Sequence, residues 1–297
     1  MRQFVKTSLA VVVLGAALAF TGTAMAGVAA TKHNLGSSGD PANNNRTNAT
    51  GEICVFCHTP HGGDTSAAVP LWNKDISATP GDYTMYDQLG TSTLDAGITT
   101  IGSISIACLT CHDGTQAIDN ILNAPGSGGF DATGGGANGL GWNWDTLSGG
   151  GQSVDSQGVF LAGAIANIGQ DLRNDHPVSV QYGGGGISAA TPGGTLRDGD
   201  FNLPDYDATS QVWWIDNTTM EGSGSTANQL DKWDFKLYTR SAAGPLFDGG
   251  PEPFVECGSC HDPHLETTTF LRIDPAANPD GPESNSGSRI CLACHNK

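Results

Sequence analysis

The sequence predicts a mostly irregular fold, with short helices and a few short strands, whose core is not built from apolar side chains alone. Glycine accounts for 42 of the 297 residues and charged residues for only 14%. Because glycine loses more backbone entropy on ordering than any other residue, such a chain is expected to form many turns and little regular structure. The cysteines indicate what completes the core, since all eight fall in one short motif that occurs four times.

Residues 1–26 have the features of a secretory signal peptide. A short basic start precedes an apolar run from Leu9 to Phe20, and Ala24-Met25-Ala26 has the small-x-small pattern of a cleavage site. The run is too short to span a bilayer, and no cysteine follows it closely, which argues against a membrane anchor and a lipoprotein. We therefore expect a secreted chain from about Gly27 that is not membrane-spanning. It would be extracellular or at the cell surface, with the periplasm as the alternative.

The mature chain is strongly acidic. Without Arg2 and Lys6, the 13 basic residues fall to 11 against 30 acidic residues, a formal net charge of about −19. A surface of this sign repels phosphate backbones and anionic lipid, so nucleic acid is not expected among the partners.

The cysteine motif is C-x-x-C-H, the attachment signature of a c-type haem. Two thiols three residues apart can each form a thioether to one porphyrin vinyl group, and the adjacent histidine then lies under the iron as its proximal ligand. Disulfides, zinc and thiol redox chemistry are the alternatives, but none explains a histidine after every pair. We therefore expect four covalently attached haem c groups to form the core. We number the motifs as sites 1 to 4: Cys54, Cys57 and His58; Cys108, Cys111 and His112; Cys257, Cys260 and His261; Cys291, Cys294 and His295.

The remaining histidines match the number of distal ligands that four six-coordinate haems need. Methionine is the rival ligand, but only Met85 and Met220 survive signal cleavage and neither lies in a recognisable pattern. A six-coordinate iron has no open position, so it exchanges electrons and does not bind a substrate. The sequence thus predicts an electron carrier and not an enzyme, with these distal ligands: His33, His61, His176 and His264.

The motifs form an internal repeat. Each half contains C-x-x-C-H-x-P-H followed by C-L-x-C-H, and one further histidine precedes each half. The simplest organisation is a first two-haem module at 27–112, a glycine-rich connecting region at 113–256 that supplies a distal histidine, and a second two-haem module at 257–297. In the connecting region we expect a short helix from Thr115 to Leu122. The strand candidates there are Val178 to Tyr182, Gln211 to Ile215 and Phe235 to Arg240.

The histidine three residues after a proximal histidine cannot bind the same iron, because both would approach from one side. We therefore expect His61 to cap site 2 and His264 to cap site 4, with His33 and His176 capping sites 1 and 3 in either order. In the alternative, the prolines before His61 and His264 only end a short helix, and these histidines face solvent.

The repeated units resemble the doubled-CXXCH family of multihaem cytochromes. Further segments resemble the OmcE-like extracellular cytochromes of metal-reducing bacteria, which polymerise into haem filaments. The resemblance implies a multihaem cytochrome c fold with stacked haems running through a polymer of copies of the chain, and electron exchange with other redox proteins or extracellular acceptors. It also implies that His33, near the mature N-terminus, ligates a haem of the neighbouring subunit. The resemblance to the filament cytochromes is carried by these segments: Gly51 to His61, Pro70-Leu71-Trp72-Asn73, Asn174 to Val178 and Lys32 to Leu35.

Three functions remain open on the sequence: a subunit of an extracellular conducting filament, a monomeric periplasmic or cell-surface tetrahaem shuttle, and a multihaem reductase. A reductase would need one five-coordinate haem, which carbon monoxide would bind in the ferrous state. The glycine-rich, charge-poor loops favour subunit contacts and therefore the filament.

Overall fold

Short helices and one small sheet make up the regular structure. The computed structural model describes residues 27–79, 81–90, 94–126, 128–144, 153–217, 229–248, 250–273 and 288–296. The signal peptide expected at 1–26 lies outside these residues, as does Met220. Three helices have α geometry: α1 (Ser103–His112), α2 (Cys257–Cys260) and α3 (Arg289–Cys294). Single 3₁₀ turns occur at Gly27–Ala30, Cys54–Phe56, Ile76–Ala78, Tyr86–Leu89, Gly136–Asn138, Leu172–Asn174, Tyr182–Gly184 and Thr268–Phe270.

All described strands lie in the connecting region: β1 (Asn123–Ala124), β2 (Gly129–Phe130), β3 (Val180–Gln181), β4 (Asp205–Asp207), β5 (Val212–Ile215), β6 (Phe235–Ser241) and β7 (Pro251–Val255). Its strands pair in the order β3-β7-β6-β5-β4, beside a separate two-stranded ribbon of β1 and β2. Two strand candidates, Gln211 to Ile215 and Phe235 to Arg240, are confirmed by β5 and β6. The candidate Val178 to Tyr182 is confirmed only at β3, since Ser179 has a positive φ of 58° and Tyr182 begins a 3₁₀ turn.

The expected helix from Thr115 to Leu122 is wrong, because this segment is a series of turns. Its backbone groups bond elsewhere: Ala117 N–H donates to the Ala137 carbonyl and Ile118 N–H to the Gly158 carbonyl, both at 2.9 Å. The buried ammonium group of Lys74 donates hydrogen bonds to the carbonyls of Ala117, Ile118 and Asn120 at 2.8–3.2 Å. Tertiary partners therefore replace the hydrogen bonds that a helix would have made.

Three small apolar clusters share the core, and each borders a cysteine motif. One lies on the sheet around Trp213 and Phe235 and reaches the cysteines of sites 3 and 4. A second surrounds Phe56 and Trp144 beside site 1, and a third surrounds Leu109, within α1, beside sites 2 and 3. Each fully buried aromatic side chain contributes roughly 2–3 kcal/mol.

The described helices are short. None of those found in the described part of the chain combines the length and apolar character that crossing a lipid bilayer requires.

Candidate haem-binding site

Each C-x-x-C-H motif is one helical turn. The N–H of the motif histidine donates to the carbonyl of the first cysteine at site 1 (His58, 2.7 Å), site 3 (His261, 3.0 Å) and site 4 (His295, 2.9 Å), while site 2 lies inside α1. Residues i, i+3 and i+4 of a helical turn share one face. Both thiols and the imidazole of each site are therefore on the same side of the turn.

A short backbone bridge follows the turn at three sites. His58, His261 and His295 each pair antiparallel with a residue from another segment: Trp72, Leu271 and Phe201 respectively. Two backbone hydrogen bonds of 2.8–2.9 Å flank each bridge, such as Thr59 N–H to the Leu71 carbonyl and Asn73 N–H to the Cys57 carbonyl at site 1. These bridges fix the backbone of each of these three histidines against a second segment of the chain.

Hydrogen bonds to backbone carbonyls orient three of the four motif histidines. The Nδ1 atoms of His58, His112 and His261 each lie 2.8 Å from a carbonyl oxygen, of Pro70, Ala166 and Thr269. A carbonyl only accepts, so Nδ1 carries the proton at each site and Nε2 keeps a free lone pair. This is the tautomer and the outer hydrogen bond that metal-binding histidines use.

Sites 1 and 3 repeat this arrangement in three dimensions. At both, the accepting carbonyl belongs to the residue two before the bridge partner. The residue between them, Leu71 at site 1 and Phe270 at site 3, has a positive φ of 56° and 60° respectively. The duplication in the sequence is thus also a duplication of backbone conformation.

The fold brings six of the eight histidines together in pairs. The ring centres of His58 and His264 are 6.1 Å apart with planes 21° from parallel. Those of His112 and His33 are also 6.1 Å apart, and those of His261 and His176 are 5.8 Å apart. Each pair joins the motif histidine of site 1, 2 or 3 to one of the predicted distal ligands.

These separations fit two imidazoles on opposite sides of one haem iron. An imidazole nitrogen binds a first-row metal at roughly 2 Å, and the nitrogen lies about 1 Å from its ring centre. Two axial histidines therefore have ring centres about 6 Å apart. Direct stacking would bring the rings closer, as in the contact of His33 with Phe270 at 4.2 Å. The residues at sites 1 to 3 thus fit a haem with two histidine ligands.

Burial favours the neutral form, which ligation requires, in three of the six paired imidazoles, whereas the hydrogen bond to Asp262 raises the pKa of His264. Burial, and then the neighbouring His112, His264 and His261, lowers the pKa of His33 to about 3. Burial is also the main cause that lowers the pKa of His112 and of His261. The Nδ1 of His33 is buried with no hydrogen-bond partner.

The structure does not make most of the pairings expected from spacing. His264 faces site 1 and not site 4, and His33 faces site 2, where His61 was expected. Only His176, at site 3, follows one of the two expected orders. The N-terminal segment lies against the second module, with Gly27 beside the backbone of His264 and His33 stacked on Phe270. This packing carries distal ligands across the modules, which spacing along the chain could not indicate.

His33 therefore does not have the surroundings of a free arm that reaches a neighbour, because its half-buried imidazole packs against His112 and Phe270 of its own chain. Two other histidines are left over. His61 is exposed, and His295 of site 4 lies against Phe201, with ring centres 4.1 Å apart. All eight histidines are among the described residues, and none of the other seven rings lies against His295.

The influence of one thiol on the pKa of another indicates which sites are neighbours. Burial, and then the neighbouring thiol of Cys111, raises the pKa of Cys57 to about 12, so sites 1 and 2 are adjacent. A hydrogen bond between the thiols of Cys108 and Cys257 is the main cause that raises the pKa of Cys108. It joins sites 2 and 3. Burial raises the pKa of Cys260 to about 11, with smaller contributions that include the thiol of Cys291, which puts site 4 beside site 3.

No disulfide links these cysteines, all of which are among the described residues. In the same part of the chain, no three or more histidine, cysteine, aspartate or glutamate side chains converge as ligands for a bare metal ion. A haem iron takes four of its six ligands from the porphyrin, so two imidazoles are the whole protein contribution.

In comparisons with known proteins, neither a protein-family model nor a curated protein matches the chain.

The residues that orient the motif histidines were missed by sequence reasoning. Pro70 and Trp72 belong to a segment that had been noted only for its resemblance to filament cytochromes. Ala166, Thr269 and Phe201 act through their backbone or a ring contact, and nothing in their side chains marks this role in advance.

Proposed function

We propose that this chain is a tetrahaem c-type cytochrome that transfers electrons and polymerises head to tail into a conducting filament. The observation that carries the proposal is the set of three histidine pairs at 5.8–6.1 Å, each made by one motif histidine and one distal histidine. A chance meeting of histidines would not pair three motif histidines with three different partners at the separation that an iron needs.

A haem c at each site would supply a one-electron couple at its iron. Both thiols of each site would attach the porphyrin, and the paired histidines of sites 1 to 3 would supply two ligands to each iron. Backbone carbonyls orient the imidazoles of His58, His112 and His261. A closed iron changes little on reduction, which suits electron transfer and leaves no room for a substrate. The proposal is therefore an electron carrier and not an enzyme.

Adjacent thiols support a linear order of haems from site 1 to site 4. The thiols of Cys108 and Cys257 share a hydrogen bond, and the thiols of Cys111 and Cys291 influence the pKa of Cys57 and of Cys260 respectively, so successive sites are neighbours. Sites 1 and 4 are then the two ends of the line. An electron entering at one end passes every haem before it leaves at the other.

The leftover histidines support the polymer. His61 follows site 1, and the unpaired motif histidine His295 belongs to site 4, so the spare ligand and the missing ligand lie at opposite ends of the haem line. In the proposed filament, His61 of one copy ligates the site 4 iron of the next copy, the role that the sequence resemblance implied for His33.

Apolar side chains near both ends suit such a contact. Phe130, which is 62% exposed, lies beside Gly62, and Leu71 in the bridge segment of site 1 is 53% exposed. Near site 4, Leu203 is 53% exposed and follows Asn202, whose N–H donates to the Cys294 carbonyl at 2.8 Å. Exposed large apolar side chains beside a ligand site are typical of subunit contacts.

A monomeric periplasmic or cell-surface tetrahaem shuttle is the alternative. It would leave site 4 with an external ligand or with an open position, and His61 in solvent.

The experiment compares His61→Ala with His33→Ala in protein matured with its haems. Intact mass gives the haem count, negative-stain imaging gives the assembly state, and a ferrous carbon monoxide spectrum counts open irons. We expect four haems and no carbon monoxide binding in parent filaments. His61→Ala should abolish filaments and open one iron per chain, whereas His33→Ala should open one iron and keep the filaments.

Other outcomes would contradict the proposal at defined points. Fewer than four haems in the parent would overturn the cytochrome itself. Filaments that persist in His61→Ala and vanish in His33→Ala would return the bridging role to His33. Parent protein that is monomeric at all concentrations would favour the shuttle.

A further inference from the structure

One distal histidine differs from the oriented motif histidines in the charge of its hydrogen-bond partner. The Nδ1 of His264 lies 3.0 Å from a carboxylate oxygen, Oδ1 of Asp262. The acceptors for His58, His112 and His261 are neutral carbonyls. His264 therefore donates to an anion.

The chain holds the Asp262 carboxylate firmly in place. Its side chain is 19% exposed, and its Oδ1 also accepts the backbone N–H of His264 at 3.0 Å. The Asp262 N–H donates to the Phe270 carbonyl at 2.8 Å, within the bridge of site 3. Arg272 lies 3.6 Å from the other carboxylate oxygen, so the orientation of the group is set from several sides.

The internal repeat supplies a natural comparison. The corresponding position of the first unit, between His58 and Pro60, is Thr59, whose hydroxyl donates to the His61 carbonyl at 2.9 Å. The first unit thus has no carboxylate for its second histidine. The charged contact belongs to the second unit alone and is not a requirement of the turn.

A carboxylate that accepts the Nδ1 proton makes the imidazole a stronger donor at Nε2. A stronger donor, together with a nearby negative charge, favours ferric over ferrous iron and so lowers the reduction potential. Arg272 offsets part of the charge but leaves the hydrogen bond to His264 in place. Because His264 pairs with His58, the affected iron is that of site 1.

We propose that Asp262 is a positioning residue that lowers the reduction potential of the site 1 haem through its hydrogen bond to His264. The proposal rests on the proposed function, since it needs a haem at site 1 with His264 as its second ligand. The reduction potentials along the proposed haem line would then be asymmetric, with a lowered value at the end next to His61. A residue of the second module would set the potential of a haem in the first module.

The test compares substitutions at Asp262 in the full chain with its haems. Asp262→Asn keeps the shape and can still accept a hydrogen bond but has no charge, and Asp262→Thr copies the first unit. Asp262→Glu keeps the charge. Asp207, an exposed carboxylate that accepts the Thr209 N–H and the Ser210 hydroxyl, gives a control of equal charge change as Asp207→Asn.

Potentiometric titration of the four haems and electron paramagnetic resonance of the ferric state give the readouts. We expect one of the four potentials to rise in Asp262→Asn and Asp262→Thr, with a change in one low-spin ferric signal. Asp262→Glu should restore the parent potential, and Asp207→Asn should leave all four potentials in place. If Asp262→Asn does not fold, the threonine variant makes the same comparison.

Two results would overturn the proposal. One is four unchanged potentials in both neutral variants; the other is an equal shift in Asp207→Asn, which would reduce the effect to net charge. Both can occur while the parent retains four low-spin haems, so the proposed function would survive them. A parent without a low-spin haem at site 1 would instead overturn both.

Discussion

The imidazole of His58, in the first cysteine motif, lies 6.1 Å from that of His264, which follows the third motif, with the two ring planes 21° from parallel. The two residues come from different halves of the repeat. The halves are therefore not independent units in space, because a haem at site 1 would take one ligand from each.

This pairing gives the first expectation, which concerns His264→Ala. Loss of the distal ligand should open the site 1 iron and add one carbon monoxide site per chain relative to the parent. Adding Cys54→Ser and Cys57→Ser should remove that new site, because it removes the haem. Cys291→Ser with Cys294→Ser is the matched control, and it should leave the new site in place. The reverse result would show that His264 serves site 4, as spacing along the chain had suggested.

A second expectation concerns Lys74→Met. Lys74 is fully buried, and its ammonium group binds three carbonyls in the turns after site 2. The Ala117 carbonyl also accepts the Asn120 N–H, so the variant leaves two buried carbonyls unsatisfied. At about 1 kcal/mol or more for each, it should lose about 2 kcal/mol. Thermal melting followed by circular dichroism should show a clearly lower midpoint. Lys32→Met, at an exposed lysine that binds one carbonyl, should melt close to the parent, and equal midpoints for both variants would contradict this role.

A third expectation concerns pH and Glu256, which joins the helices of sites 2 and 3. Its carboxylate accepts the Ser105 hydroxyl at 2.5 Å and the Ser179 hydroxyl at 2.9 Å, and it pairs with Arg240 at 3.1 Å. Burial raises the pKa of Glu256 above its ordinary value of 4.5, and these hydrogen bonds and the arginine charge only partly oppose it.

A raised carboxyl pKa means that the folded state holds the proton more tightly than the unfolded state does. The stability that this group contributes is thus complete below pH 4.5 and is lost as the pH rises from 4.5 through the raised value. Melting midpoints of the parent should fall across this window relative to those of Glu256→Gln. Glu52→Gln, at an exposed glutamate, should follow the parent. If the melting midpoints of the parent and of Glu256→Gln change with pH in parallel, the buried carboxylate does not titrate in this pH window.

A fourth expectation follows from the contact between the thiols of Cys108 and Cys257. Haems at sites 2 and 3 should lie close enough for excitonic coupling in the Soret band. Removing the site 2 haem with Cys108→Ser and Cys111→Ser should take away its coupling to both neighbours. Removing the terminal site 1 haem with Cys54→Ser and Cys57→Ser should take away only one coupling, the one to the site 2 haem. Circular dichroism in the Soret region measures the difference, and equal losses would contradict the linear order.

The local form of each candidate site could be predicted from the sequence. Two cysteines and a histidine at i, i+3 and i+4 fall on one face of a single helical turn, whatever the rest of the chain does. The duplication could also be predicted, because it repeats residue types at the same spacing. Strands β5 and β6 could be predicted from their aromatic and β-branched residues. The helix expected from Thr115 to Leu122 failed because its signal was only local propensity, which the carbonyl contacts to Lys74 outweigh.

The four attachment motifs, their motif histidines and the set of spare histidines follow from the sequence alone, because each is a property of residues close together in the chain. Tertiary structure decided which spare histidine meets which site. A distal imidazole approaches from the face opposite the motif, so it comes from whatever segment the fold places there. For that reason His264 lies at site 1, His33 packs against site 2, and His61 and His295 are left at opposite ends of the proposed haem line.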